Sequence, residues 1–285
     1  MPIDIEKALG ATLAGPVFSW TDDDVILYHL GIGAGSDPVD PDELRYVYEG
    51  DLQVLPTYAT IPPFEVMMSF ALVDGLDISL AQVLHGEQET ILHDRIPTSG
   101  AVTNEGTVTN IFDKGKGALV VMEIISRLES TGEPLFTNRS SIFIKGEGGF
   151  GGDSGPSTSV EIPDREPDHV VQSATLPQQA LLYRISSGDK NPLHADPGFA
   201  GFAGYERPIL HGLCTFGIVA KAVADSVLKG QPGDIASYRG RFSGHVFPGE
   251  TIVSRIWDEG DRVIVVAETQ ERGLPVISNA VVTRM

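Results

Sequence analysis

The sequence reads as two consecutive copies of one pattern, and this duplication limits the fold more than any other feature. Each half has an apolar segment with helical spacing, residues 62–73 in the first half and 213–228 in the second. A series of β-like runs joined by short polar or Gly-rich turns follows each segment. The runs cover residues 101–112, 118–127, 135–144, 235–242, 251–259, 262–270 and 276–284. We therefore predict an α+β protein with two copies of a unit in which antiparallel strands wrap a helix.

A Gly- and Ser-rich segment separates the two halves. Residues 146–160 read Gly-Glu-Gly-Gly-Phe-Gly-Gly-Asp-Ser-Gly-Pro-Ser-Thr-Ser-Val, a composition typical of a flexible linker. We place the N-terminal repeat at 1–146, the linker at 147–162 and the C-terminal repeat at 163–285. One short motif also recurs, because Tyr28-x-x-Gly31-x-Gly33 has the spacing of Tyr183-x-x-Ser186-x-Gly188.

Several shorter elements are predicted from signals at their ends. Thr21, followed by three aspartates, is typical of a helix start. Residues 4–15 are interpreted as a short helix and residues 52–56 as a strand. A helix over 176–185 is predicted to begin with a capping box made by Thr175 and Gln178.

The charge balance excludes several classes of partner. The net charge is −19, from 39 acidic and 20 basic residues, so nucleic acid and an anionic membrane surface are poor partners. An anionic small molecule can still bind through a local basic patch. The single cysteine, Cys214, excludes an internal disulfide and suits a reducing compartment. The sequence has no apolar run of membrane-spanning length, no signal-peptide core and no Ser-Lys-Leu end, so we expect a cytoplasmic protein.

The most informative stretch for chemistry runs from Tyr183 to His194. It places an acid (Asp189), an amide (Asn191) and an imidazole (His194) within six residues. Pro192 disfavours helix at Asn191, so this segment is predicted to be an extended loop in which side chains five residues apart can converge. Soon after it, His211-Gly212 opens the apolar helix, whose first turn presents free N–H groups and positive dipole.

These residues carry a family resemblance. The run Tyr-x-x-Ser-x-Gly-Asp-x-Asn-Pro-Leu-His over 183–194 resembles the signature of the hydratase 2 family, the R-specific enoyl-CoA hydratases among the MaoC-like dehydratases. Pro-Ile-Leu-His-Gly-Leu-Cys-Thr-Phe-Gly over 208–217 matches the family's second block. The resemblance covers nearly the whole chain in the two-repeat form of the family, and it implies a double hot dog fold, in which each sheet wraps a central helix.

The resemblance also implies an activity and roles for residues. The expected reaction is reversible hydration of trans-2-enoyl-CoA to (3R)-3-hydroxyacyl-CoA, with no metal or organic cofactor and with a homodimer as the expected assembly. Asp189 and His194 would be the catalytic pair acting on one water, with Asn191 as their hydrogen-bond partner and the Gly212 N–H as the oxyanion donor. Tyr183, Ser187 and Gly188 belong to the same motif and are expected at the substrate. Whether Ser186 or Ser187 is the motif's serine is open.

For several other residues the sequence leaves two interpretations open. His211 is either structural or a ligand contact, and Cys214 is interpreted as a packed core cysteine instead of a nucleophile. Arg239 and Arg241 either form a solvated strand face or contact the CoA phosphates. The repeat without the motif is expected to shape the acyl pocket, with residues 62–73 and 84–100, including Met68 and Phe70, lining it. A non-catalytic acyl-CoA-binding module and an acyl thioesterase of the same fold are the alternative functions.

Overall fold

One continuous antiparallel sheet runs through both halves of the chain. The computed structural model describes residues 3–76, 78, 82–157 and 159–285, and within them the strand order is β1-β4-β5-β6-β3-β8-β11-β10-β9-β7, with β2 also paired to β4. The strands are Thr12–Ala14 (β1), Phe18–Trp20 (β2), Val83–Leu92 (β3), Gly100–Asp113 (β4), Gly117–Leu128 (β5), Pro134–Lys145 (β6), His169–Ala174 (β7), Ile235–Phe242 (β8), Thr251–Asp258 (β9), Arg262–Thr269 (β10) and Pro275–Arg284 (β11).

The strand order confirms the duplication. Reading outward from the middle of the sheet, β3-β6-β5-β4-β1 on one side corresponds to β8-β11-β10-β9-β7 on the other. The two halves join where β3 pairs with β8, in a register that places Glu87 opposite Arg241 and Ile91 opposite Ser237. Each half therefore covers the edge strand that the other half would expose.

Seven helices accompany the sheet in the described residues. The longest, α7, confirms the apolar segment at 213–228. Most of its side chains are buried, and Phe216 stacks on Tyr238 of β8 with ring centroids 3.9 Å apart. The helices are Ile5–Ala8 (α1), Asp22–Gly31 (α2), Pro41–Leu44 (α3), Phe64–Met68 (α4), Gln179–Ser186 (α5), Pro197–Phe202 (α6) and Gly212–Ser226 (α7). No described helix combines the length and apolar composition needed to cross a bilayer.

The N-terminal half lacks a continuous counterpart of α7. The helix predicted over 62–73 is only the short α4 followed by a 3-10 turn at Ser69–Leu72, and the strand predicted over 52–56 is wrong. Pro56 instead opens a 3-10 turn at Pro56–Thr60. Closely spaced prolines, among them Pro63 at the cap of α4, remove the N–H groups that a longer helix would need.

Two helix-end predictions had opposite outcomes. The Thr21 start is confirmed as a capping box with Asp24 before α2. The capping box at Thr175 is wrong, because the Thr175 hydroxyl donates to the Glu250 carbonyl (2.7 Å) and α5 begins only at Gln179. The helix predicted over 4–15 ends at Ala8, and strand β1 follows it.

The Gly-rich segment is anchored at its beginning. The Asp113 carboxylate, at the end of β4, accepts the N–H groups of Gly149 (2.8 Å) and Gly151 (2.7 Å). These bonds lower the pKa of Asp113 below its ordinary value. Thr158 within the predicted linker lies outside the described residues. The composition of residues 146–160 predicts a flexible linker, but the hydrogen bonds to Asp113 hold its first residues in place.

Helix α2 packs against α5 at the short motif that recurs in the two halves, Tyr28-x-x-Gly31-x-Gly33 and Tyr183-x-x-Ser186-x-Gly188. Gly31 and Ser186 meet at the crossing, where a Cβ on Gly31 would lie 2.5 Å from Ser186 Oγ and 3.3 Å from the Tyr183 Cα. The Tyr28 and Tyr183 rings lie 6.2 Å apart in the same contact. The two copies of the motif are therefore packed directly on each other, and the helix that leads into the Asp189 loop rests on its N-terminal counterpart.

Gly31→Ala is expected to destabilise the protein by about 1–3 kcal/mol, because the added methyl overpacks this crossing. Urea unfolding followed by circular dichroism measures the loss. Ser186→Ala removes the clashing Oγ, so the double variant should recover most of the lost stability. Gly201→Ala on α6, where a Cβ meets nothing within 4 Å, serves as the control. Additive effects of the two substitutions would contradict the assignment of the close contact.

His29 gives a second testable consequence of the packing. Its ring is fully buried, with Nδ1 2.7 Å from the Tyr46 carbonyl and Nε2 accepting the Leu55 N–H at 3.2 Å. Nδ1 must carry the proton, and protonation of Nε2 would break the second bond. Burial lowers the pKa of His29 from 6.5 to about 4.

Because the folded pKa of His29 lies below the unfolded value, its stabilising contribution is complete above pH 6.5 and is lost as pH falls toward 4. The linkage amounts to roughly 3 kcal/mol over that interval. In urea titrations between pH 4.5 and 7.5, His29→Gln should be less stable at pH 7.5 and show a shallower pH dependence than wild type. Equal slopes would show that His29 is not the titrating group.

Candidate active site

The loop after α5 brings the predicted acid into position. Gly188 has φ +73°, a conformation that favours glycine, and it turns the chain out of the helix. The Asp189 N–H then donates to Ser187 Oγ (3.2 Å), and the Asp189 carboxylate accepts the Asn191 N–H (3.0 Å). Ser186 Oγ instead binds the Tyr183 carbonyl within the helix. Ser187 is therefore the serine that contacts the loop.

The histidine is fixed by the next turn. Pro192–His194 forms a 3-10 turn capped by Asn191, whose Oδ1 accepts the Leu193 N–H (3.0 Å). His194 Nδ1 lies 2.9 Å from the Ile209 carbonyl, so Nδ1 is the donor and Nε2 is left as an acceptor. Asn191 is exposed, and its observed role is to cap the turn that presents His194. The predicted hydrogen bond between its side chain and the Asp189–His194 pair stays a prediction.

Two basic residues form hydrogen bonds across the loop, and neither of them is predicted from the sequence. Arg184 donates to the Lys190 carbonyl (3.4 Å), while Lys190 Nζ donates to the Arg184 carbonyl (2.5 Å). The two side chains thus close the segment that contains Asp189. They also place two cations beside the loop of a strongly acidic protein.

The start of α7 supplies the other side of the site. Gly212 is its first residue, so its N–H has no partner within the helix. A Cβ at Gly212 would lie 3.3 Å from the Phe242 ring, and His85 packs on the same ring at 5.0 Å. Phe242 comes from β8 and is not predicted from the sequence, whereas His85 of β3 lies in the range 84–100 that is predicted to line the acyl pocket.

Asp189, His194 and His211 converge. One carboxylate oxygen and one ring nitrogen from each histidine lie within 4.8 Å of one another. The two imidazoles stack with centroids 3.8 Å apart. Burial lowers the pKa of His194, and burial together with repulsion from His194 lowers the pKa of His211 to about 2. Both rings are therefore neutral at pH 7. These donors could also hold a small divalent ion, although the sequence predicts no metal here.

A small cavity lies beside the first turn of α7. It reaches Leu213, the neighbour of Gly212, and Thr60, and the predicted pocket segments contribute to its wall. Met67 lines it, whereas Met68 is 45% exposed and Phe70 is packed in a separate core cluster. The complete lining is Thr60, Pro63, Met67, Gln88, Ile124, Asn138, Ser140 and Leu213.

The remaining predicted residues lie elsewhere or are packed. Gly240 of β8 faces Phe216 of α7, so Arg239 and Arg241, on alternate positions, lie on the opposite face of the sheet. Arg241 forms an ion pair with Glu87 (2.5 Å). Their contact with CoA stays a prediction. Cys214 is fully buried, and burial raises its pKa, as expected for a core cysteine.

Comparisons with known proteins identify the family of this chain. Enoyl-CoA hydratase ChsH3 of Mycobacterium tuberculosis is 45% identical over 278 residues, covering 96% of each chain. The chain belongs to the hydratase 2 family of MaoC-like dehydratases. Models of the MFE-2 hydratase 2 N-terminal domain and of the MaoC like domain match residues 18–146 and 158–280. Peroxisomal enoyl-CoA hydratase 2 of Arabidopsis thaliana is a hydratase 2 relative at 40% identity, covering 93% of this chain and 90% of that protein.

Solved structures of the family share the fold. A MaoC-like dehydratase from Phytophthora capsici matches 99% of this chain and 98% of its own with a TM-score of 0.89 and 30% identity. The peroxisomal multifunctional enzyme type 2 of Drosophila melanogaster matches with a TM-score of 0.83 and 38% identity, and this chain corresponds to 48% of it. The predicted double hot dog fold of the hydratase 2 family is confirmed.

Proposed function

We propose that this protein catalyses the reversible hydration of trans-2-enoyl-CoA to (3R)-3-hydroxyacyl-CoA in fatty-acid metabolism. The observation that carries the proposal is the convergence of the Asp189 carboxylate and a ring nitrogen of His194 next to the helix start that presents the Gly212 N–H. A carboxylate and a neutral imidazole can take a proton from water and return one to carbon. The names of the hydratase relatives support the same reaction.

The proposal assigns each group a step. Water, held by Asp189 and His194, adds its oxygen to C3 as the C2–C3 π bond breaks. The proton that leaves the water passes to the pair, and the pair delivers a proton to C2, so the pair ends in its starting protonation state. Negative charge that develops on the thioester oxygen is stabilised by the Gly212 N–H and the positive end of α7.

The finer parts of the proposal rest on the family and on chemistry. The R configuration, the absence of any cofactor, a homodimer and a cytoplasmic location are all proposed. Arg184 and Lys190 are cations at the catalytic loop, and they would favour an anionic thioester. The cavity beside Leu213 would receive the beginning of the acyl chain.

Two other functions remain as alternatives to be tested. A thioesterase would release free CoA from a saturated acyl-CoA, which requires attack at the carbonyl carbon. A binding module would hold acyl-CoA without changing it. The converging acid and base favour the hydratase, because binding alone has no use for them.

Following the absorbance of the enoyl thioester tests the proposal directly. Purified protein is added to trans-2-enoyl-CoA of several chain lengths, and R- and S-specific dehydrogenases report the product's configuration. Loss of absorbance with formation of the R product is expected. Release of free CoA would favour the thioesterase, and unchanged substrate bound by the protein would favour the binding module.

A further inference from the structure

The proposed mechanism does not use His211, yet this side chain has an unusual environment. The residue is 1% exposed, and neither ring nitrogen forms a hydrogen bond of normal distance and angle with a described residue, the Asp189 backbone being a group that lies near the ring. Buried polar atoms are nearly always paired, so two unpaired nitrogens on one ring call for an explanation. The ring is held firmly, stacked on His194 at 3.8 Å and packed on Tyr183 at 5.0 Å.

The position of the ring suggests what its partner is. Three atoms that lie within 4.8 Å of one another, one each from Asp189, His194 and His211, always share a point no more than about 2.8 Å from all three. That distance is the hydrogen-bond length of a water molecule. A single water at that point would lie within hydrogen-bond distance of all three side chains.

Counting donors and acceptors on that water gives His211 a definite role. The Asp189 carboxylate accepts, and His194 Nε2 also accepts because Nδ1 donates to the Ile209 carbonyl. The water uses both of its hydrogens in these two bonds. One of its lone pairs must remain free to reach C3, and the other can accept a hydrogen bond. The group that satisfies this last lone pair has to be a donor.

We infer that His211 donates an N–H to the reacting water and so acts as a third catalytic residue beside Asp189 and His194. This inference rests on the proposed hydratase function. Its donor fixes the orientation of the water, leaving the remaining lone pair directed at the substrate. In dehydration the same N–H donates to the hydroxyl oxygen as the C3–O bond breaks, so His211 assists both directions.

A pair of matched substitutions tests the role of the donor. His211→Gln keeps an N–H donor on a flexible side chain, and His211→Met has similar size without a donor. His211→Met is expected to lower kcat by about 10²-fold in both directions, the usual effect of losing one such donor, while His211→Gln retains activity within about 10-fold of wild type. Binding of a saturated acyl-CoA, measured by calorimetry, should change by less than about threefold in both, because the water is not part of that complex.

Cys214→Ala, one turn further along α7, controls for a change in packing that leaves the donor in place. Equal losses in His211→Gln and His211→Met, or equal loss in Cys214→Ala, would assign His211 a structural role and overturn the inference. Unchanged kcat in His211→Met would overturn it as well. The wild-type enzyme separates this failure from failure of the proposed function, because an inert wild type would reject the hydratase itself.

Discussion

Asp189→Asn is expected to lower kcat/KM for hydration of trans-2-enoyl-CoA by about 10²–10⁴-fold, the range for loss of a general acid–base group. The amide keeps the size of the side chain and can still accept the Asn191 N–H, so the loop should keep its shape. It cannot take up the proton of the water. His194→Gln should have an effect of the same order, because the Nε2 acceptor is lost from its fixed position.

The two substitutions should not be additive. Asp189 and His194 act on one water, so the double variant is expected to be little worse than either single variant. Initial rates at several substrate concentrations measure the effect, and binding of a saturated acyl-CoA shows whether the site is still formed. Retention of more than a tenth of wild-type activity in Asp189→Asn would remove Asp189 from the proposed mechanism. Unfolding curves that match wild type would exclude misfolding as the cause of any loss.

Gly212→Pro is expected to lower kcat by about 10²–10³-fold, because it removes the N–H that we assign to the thioester oxygen. The first helical position tolerates proline, and His211 already has φ −61° and ψ 137°, which suit a residue before proline. Helix α7 should therefore form in the variant. A backbone donor can seldom be deleted with so little disturbance.

Gly212→Ala is the matched control. It retains the N–H and introduces the same Cβ at 3.3 Å from the Phe242 ring, so it reports the cost of crowding alone. The difference in kcat between the alanine and proline variants is then the contribution of the donor. If the two variants were equally active, the oxyanion donor would have to be another group.

The sequence predicts those parts of the structure that are decided locally. Helix α7 follows from apolar spacing, and the start of α2 follows from Thr21 and the acidic residues after it, as the structure confirms. The strands β4, β5 and β6 follow from their length and from the turns between them. The Asp189–His194 loop is likewise local, because Gly188 and Pro192 determine its backbone and the family motif identifies its chemistry.

The remainder depends on contacts between distant segments. Strands β1 and β2 have three residues each, too few to show a pattern. Phe242 reaches the site from 48 residues beyond His194, and no local signal connects it with the site, whereas His211 is already a candidate ligand contact from the sequence. Met67 lines the cavity and its neighbour Met68 is exposed, although the two have the same side chain, because they point in different directions from the short helix α4. The direction in which a side chain points from so short a helix is set by tertiary packing.

Because β3 pairs with β8, the two similar halves form one folded unit, and the two halves have different roles. At the spacing of the shared Tyr motif, Ala34 and Val39 stand where Asp189 and His194 stand in the second half. In a symmetric pair of identical chains, every change would appear twice, and loss of the acid from one copy would mean loss from both. Because the two halves here are one chain, their sequences can differ. The N-terminal half can therefore lose the catalytic residues and keep the short helix α4 beside the cavity. A titration of sites per chain should accordingly give one.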